Sequence, residues 1–177
     1  AYSFTINAAP VTVVVKAPKE ASAGQPFDIS LEISSNASTP IRGLLVKAEY
    51  PVGFRTTKST PAPAFGDNVW QLGDLAPQAK RTLRVSGQID AAETEERAFR
   101  FFVGTESPKD EKALGTIFLI ESPTITLTKS PVALDALING TRGALFAANK
   151  TGPFRVDIPW SNNLGLKLTD LEITATL

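Results

Sequence analysis

The 177-residue chain contains no cysteine, no histidine and no methionine. The first two absences exclude a disulfide framework, a thiol nucleophile, an imidazole base and a Cys/His zinc site, and no cofactor is expected. Its 18 Lys/Arg and 18 Asp/Glu cancel to a formal charge of zero and are interspersed. The chain therefore lacks the basic face that sequence-independent binding to phosphate backbones requires, and nucleic acid is not an expected partner. No run of about 18 apolar residues is present, so no membrane span is expected. The opening residues, AYSFTINAAP, lack the basic start and long apolar centre of a signal peptide. A convincing helix is missing too. The 13 Pro and 12 Gly are scattered between apolar runs, which fits many short strands and turns better than disorder.

What the chain does have is a stretch that occurs twice. Phe27 to Tyr50, FDISLEISSNASTPIRGLLVKAEY, lies without a gap on Phe154 to Leu177, FRVDIPWSNNLGLKLTDLEITATL. Phe27, Ile29, Leu31 and Ile33 match Phe154, Val156, Ile158 and Trp160; Leu44, Val46, Ala48 and Tyr50 match Leu171, Ile173, Ala175 and Leu177. Each copy reads as two half-buried strands joined by a polar Ser/Asn turn. A second match sets YSFTINAAPVTVVVKAP, ending at Pro18, on GTIFLIESPTITLTKSP, ending at Pro131. The recurring junction of strand, proline and strand makes Pro10 and Pro123 the expected borders between units.

The expected organisation is all-β: tandem immunoglobulin-like antiparallel β-sandwiches, the second incomplete. Residues 1–9 read as the terminal strand of a preceding repeat, 10–122 as a complete sandwich, and 123–177 as the first half of a second repeat with an insertion at 132–153. Between Val11 and Glu121, seven or eight alternating strands separated by turns about every ten residues support the sandwich. Within it Trp70 and Leu72 share a face, as do Leu83, Val85 and Ile89, and Phe99, Phe101 and Val103 point inward. In the insertion, Ser130 as N-cap, Pro131 at the first position and Gly140 as a stop suit a short helix. Pro159 sits in mid-strand, so that strand is expected to be an edge or to bulge.

The half-repeat presents an energetic problem. About eight apolar side chains (Phe154, Val156, Ile158, Trp160, Leu168, Leu171, Ile173, Leu177) would face no opposing sheet. At roughly 1.5–3 kcal/mol each, about 12–24 kcal/mol of burial is forfeited, against about 5–15 kcal/mol for the stability of a whole domain. The expected partners are therefore neighbouring repeats of the same polypeptide, or strands from another chain added to 123–177 by β-augmentation.

The run VWQLGDLAPQAKRTLRVSGQI, Val69 to Ile89, has a Trp-containing strand, a Gly-Asp-Leu-Ala-Pro turn and an alternating Thr/Leu/Val strand. With SSNASTPIRGLLVKAEYPVGF and its partial echo SNNLGLKLTDLEITATL, it resembles the bacterial and archaeal conserved repeat known as the DUF11 domain. The resemblance covers residues 11 to about 105 and, more weakly, 124–177. It implies an immunoglobulin-like fold used in tandem in large surface-exposed or secreted proteins, with no catalytic residues to transfer.

Candidate chemistry is sparse. Glu93, Glu95 and Glu96 are the nearest approach to paired carboxylates, but neighbours on an extended chain point apart and a solvated turn is the better reading. Asp67, Asn68 and Asp74 lack the spacing of a calcium loop and suit turns. Trp70 and Trp160 are assigned to cores. Phe102 and Phe118 oppose the parity of their inward neighbours and form a candidate outward contact patch. Asn36, Asn139 and Asn149 fit the glycosylation pattern and fall in expected turns. The reading is a non-enzymatic spacer, stalk or surface-assembly module of an exported, extracellular repeat protein. The alternatives are an adhesin-type module recognising a glycan or protein through end loops, especially 132–153, and an accessory domain of a secreted hydrolase.

Overall fold

A computed structural model describes residues 9–90, 95–142, 153 and 155–174. The chain divides into two compact units, Ala1–Thr128 and Lys129–Leu177. Among the described residues every regular element is a strand and no helix occurs.

The first unit contains β1 (Val11–Lys16), β2 (Glu20–Ser22), β3 (Phe27–Ser35), β4 (Ile41–Glu49), β5 (Phe54–Thr60), β6 (Val69–Leu75), β7 (Lys80–Ile89), β8 (Glu96–Ala98), β9 (Arg100–Ser107), β10 (Asp110–Glu121) and β11 (Thr124–Thr128). Two antiparallel sheets, in the orders β1-β3-β7-β5 and β10-β9-β4-β6, make the sandwich. These fill the A, B, E, D and the G, F, C, C′ places of an immunoglobulin-like fold. The two edge strands are reached in the order β5 then β6, so the chain visits the D place before the C′ place.

Alternation decides which side chains meet. Ile29, Leu31 and Ile33 of β3 and Leu83, Val85 and Ile89 of β7 line one inner face; Leu44, Val46 and Ala48 of β4, Trp70 and Leu75 of β6, and Phe101 and Val103 of β9 line the other. All are buried. The two halves of the repeated stretch, β3 and β4, thus lie in opposite sheets and face each other across the core. Phe27, Tyr50, Phe54 and Phe99 cluster beside it, with ring centroids 4.8 Å apart for Tyr50–Phe54 and 5.0 Å, edge on, for Phe54–Phe99, a favourable aromatic geometry.

The border expected at Pro123 is not where the structure puts it. β11 pairs in parallel with β2 and antiparallel with β8, making a third, three-stranded sheet of the first unit. Its Ile125 and Leu127 are fully buried in the common core. The alternation of TITLT gave a strand correctly; its allegiance was decided by two apolar side chains that find a core already formed. The expected strand Tyr2 to Ile6 lies outside the described residues.

The second unit holds β12 (Val132–Leu134), β13 (Leu137–Ile138), β14 (Val156–Asp157) and β15 (Trp160–Asn162), paired as β12 with β15 and β13 with β14. The helix expected from Ser130 to Gly140 is replaced by these strands. Asn139 and Gly140 both have positive φ, 51° and 77°, and Ile138 and Thr141 exchange two 3.0 Å backbone hydrogen bonds around them. This is the Asn-Gly hairpin turn, which outcompetes a helix stop. The second copy of the repeat also departs from the first. Its first strand breaks at Ile158–Pro159, where the ring removes a ladder donor, and residues 163–174 form no strand. No described residue of this unit is buried. The second copy carries the apolar pattern of β3 and β4, but β3 is held on both sides by β1 and β7, and β4 by β6 and β9, whereas β14 and β15 each pair with a single strand among the described residues.

Candidate functional site

The described residues hold no cluster of three or more Asp/Glu (His and Cys being absent) able to bind a metal ion. The acidic positions flagged by the sequence have structural uses instead. Asp74 accepts a 2.9 Å hydrogen bond from the Gly43 N–H, where positive φ at Gly43 marks an irregularity in the β4–β6 pairing. Asn68 donates to the Ala48 carbonyl at 2.9 Å. Glu95 is paired with Arg97, and Glu93 lies outside the described residues. The candidates that remain among the described residues include three surface concavities and two of the glycosylation positions.

The first concavity lies on the outer face of the β10-β9-β4-β6 sheet. Lys47, Glu49, Phe102, Ala113, Leu114 and Ile117 wall a cavity of about 280 Å³. Phe102 is opposite Lys47 on β4 and Ile120 on β10, its neighbours Phe101 and Val103 facing inward. Phe118 does not join it. The β10 register slips between Ile117, opposite Gly104, and Leu119, opposite Val103, so Phe118 is the extra residue of a β-bulge and packs against the core. The expected Phe102–Phe118 patch is therefore split: alternation failed because a bulge reset the parity. The outward apolar partners of Phe102 are Ile120 and, across the cavity, Ile117, which is 48% exposed. A second slip, from Asp110 to Leu114 against Ser107 to Glu106, arches residues 111–113 off the ladder. Lys112 there sits 5.4 Å above the Phe65 ring, a cation–π contact.

The second concavity is on the outer face of the other sheet. Asp28, Lys58, Thr60, Thr82, Arg84 and Ser86 line a polar groove of about 350 Å³. The Ser86 hydroxyl donates to Asp28 Oδ1 at 2.5 Å. Lys58 and Arg84 take part in no ion pair among the described residues, whereas Lys80 on the same face is 2.6 Å from Glu32. That ammonium, hydrogen-bonded and opposite in charge, pulls the Glu32 carboxyl below its usual pKa. Sequence reasoning missed this groove. Alternation exposes Lys58 and Arg84 individually, but that β5 lies beside β7 is a matter of topology.

The third lies in the second unit, where Ala133, Leu134, Asp135, Arg142, Pro159, Trp160 and Ser161 surround about 300 Å³. Trp160, expected in a core by its match to the fully buried Ile33, is 51% exposed. The Arg142 guanidinium donates through Nε to both Asp135 oxygens, at 3.0 and 2.9 Å, and this holds the carboxyl below its ordinary pKa.

The glycosylation positions differ from one another. The Asn36 amide is committed: Nδ2 donates to the Ala9 carbonyl at 3.2 Å and to Thr12 Oγ1 at 2.8 Å, tying the turn after β3 to the start of β1. Asn139 is exposed and uses its Oδ1, accepting from the Arg155 N–H at 2.9 Å. Asn149 lies outside the described residues.

No known protein family matches this sequence, and no curated protein does. Solved structures do resemble it. The CARDB domain of a Pyrococcus furiosus protein gives a TM-score of 0.45 at 9% identity, over 68% of this chain and 96% of its own. A cohesin module from a Clostridium perfringens family 33 glycoside hydrolase gives 0.47 at 14%, over 70% and 100%. AvmM, which catalyses macrocyclization in alchivemycin A biosynthesis, gives 0.50 at 13%, over 70% and 92%. At these identities the likeness is one of fold, and the fold is the immunoglobulin-like β-sandwich.

Proposed function

We propose that the chain is a non-enzymatic structural module, a spacer or surface-assembly element of an extracellular repeat protein of the DUF11-like kind. One observation supports this most directly. The residues that build the first unit's core, Ile29, Leu31, Ile33, Leu44 and Val46, have counterparts Val156, Ile158, Trp160, Leu171 and Ile173, none of which is buried. Core-type sequence without a core calls for strands from neighbouring repeats or another chain, and a tandem array supplies them. The sandwich of the first unit contributes stiffness: its strands are paired on both sides except at four edges. The test is the environment of Trp160. In acrylamide quenching of wild type compared with Trp160→Phe, the Trp160 emission should be quenched in the dilute 177-residue chain and protected in the protein isolated from its native source. Equal quenching in both states would sink the reading.

A second reading, a binding module acting through the 132–153 insertion, draws on the cavity around Trp160, Asp135 and Arg142. It requires ligand capture that is lost with Arg142→Gln while the Trp160 environment in the native-source protein stays unchanged.

A further inference from the structure

The polar groove on the outer face of β3, β7 and β5 is separate from the unburied repeat on which the structural reading rests. Its residues come from adjacent strands in register. Lys58 on β5 is opposite Ser86 on β7, which is opposite Asp28 on β3; one row along, Thr60 is opposite Arg84. Rows of outward side chains are spaced by two residues, about 6.5–7 Å, so the two cations stand on successive rows of neighbouring strands. Both are exposed, and no carboxylate among the described residues pairs with either. The acid that lines the groove, Asp28, accepts from the Ser86 hydroxyl at 2.5 Å, which leaves its second oxygen as an acceptor.

We propose that this groove binds an anionic polysaccharide. Two unpaired cations fit carboxylate or sulfate groups carried at intervals, the guanidinium taking two oxygens and the ammonium one. Asp28 and the hydroxyls of Thr60 and Thr82 exchange hydrogen bonds with neutral sugar hydroxyls, since a hydroxyl both donates and accepts. Duplex DNA fits poorly, because it carries no free sugar hydroxyls along its length, so it meets the two cations but leaves Asp28 and the threonines without partners. The groove is open along the sheet, so a polymer runs across it without needing a free end. No aromatic side chain lines it, so binding is carried by charge and hydrogen bonds and falls as salt screens them.

The experiment uses the full chain and calorimetric titration at low salt with polygalacturonate, heparin, neutral dextran and duplex DNA. Binding to polygalacturonate, heparin or both, with dextran and DNA much weaker, is expected; which of the two binds assigns carboxylate or sulfate as the anionic group. Lys58→Gln should weaken binding about tenfold, the loss of one charge-assisted hydrogen bond, and Arg84→Gln, which loses a bidentate pair, by at least as much. Lys109→Gln, in the β9–β10 turn, should leave it unchanged. In the wild type, amide shifts on titration should centre on 58–60 and 82–86. No binding to either polyanion, equal binding to dextran or DNA, variants that bind like wild type, or shifts centred elsewhere would each overturn the assignment.

Discussion

The indole Nε1 of Trp70 donates a 2.8 Å hydrogen bond to Ser59 Oγ, and this joins the two sheets at their open edges. Trp70 belongs to β6, the edge of one sheet, and Ser59 to β5, the edge of the other. The Ser59 hydroxyl in turn donates a hydrogen bond to the Pro61 carbonyl at 2.6 Å. Trp70 is fully buried, so its N–H has no water to turn to. Ser59→Ala should therefore lower stability by about 1–3 kcal/mol, the cost of a buried donor left unsatisfied, and Trp70→Ala by about 3–5 kcal/mol. Chemical denaturation measures both; a Ser59→Ala midpoint equal to wild type would show that the bond is replaceable.

Gly104 is the other fixed point. A Cβ there would meet the Thr116 carbonyl oxygen at 2.0 Å, because β10 bulges directly over it. Gly104→Ala should cost about 1–3 kcal/mol by overpacking and speed amide exchange through 114–119. Gly73→Ala, where the added carbon meets nothing within 4 Å but φ is +71°, probes backbone strain alone and should leave exchange in β10 as it was. If Gly104→Ala leaves exchange in β10 unchanged, the bulge does not depend on this glycine.

That bulge also explains where sequence reading stopped. The inner faces of β3, β7 and β9, and of β4 from Leu44 on, follow alternation, and Ile29, Leu31, Leu83, Val85, Phe101 and Val103 lie where period two places them. Phe118 does not, since one extra residue reverses every later side chain and bulges leave little mark in composition. Trp160 failed for a different reason. Its match to Ile33 identifies a core-type residue, but burial needs opposing strands, which a local pattern does not provide. Gly140 reads as a helix stop, although Asn-Gly is equally a hairpin signal; only the pairing on either side separates the two. Ile125 and Leu127 alternate as any strand does, and the core that claims them is a matter of three-dimensional proximity. The polar groove shares that limit, being assembled from residues 28, 58 and 84.

Tyr50 makes stability depend on pH at the alkaline end. Burial pushes its phenol up to about 12, against an ordinary value near 10, and its hydroxyl donates to the Asp67 carbonyl at 3.2 Å. Below pH 10 the phenol is neutral whether the chain is folded or not, and its contribution is complete. Between pH 10 and 12 the unfolded chain loses the proton while the folded one keeps it, so stability falls across that window. Tyr50→Phe removes this share of the fall. Wild type should be the more stable near pH 7, by up to about 1 kcal/mol for the lost hydrogen bond, and the gap should narrow as pH rises through 10 to 12. Parallel thermal scans in that range decide it; a constant gap would mean the phenol titrates alike in both states.

Asn36 and Asn139 share a sequence pattern and should behave oppositely. A glycan on Asn36 would replace one of the two Nδ2 hydrogens that reach Ala9 and Thr12 Oγ1, loosening the start of β1, whereas among the described residues the exposed Asn139 amide engages only its oxygen. Expressed in a host that glycosylates exported proteins, the chain should carry sugar at Asn139 and little at Asn36, as read by peptide mass spectrometry. The same geometry predicts the effect of substitution. Asn36→Asp keeps the acceptor but loses both donors, and should cost about 1–2 kcal/mol with faster exchange at Val11 to Val13. Asn139→Asp retains the acceptor for the Arg155 N–H but weakens the Asn-Gly turn, so its effect should stay within the second unit. Full occupancy at Asn36 in a folded protein would show that its amide bonds are dispensable for holding β1.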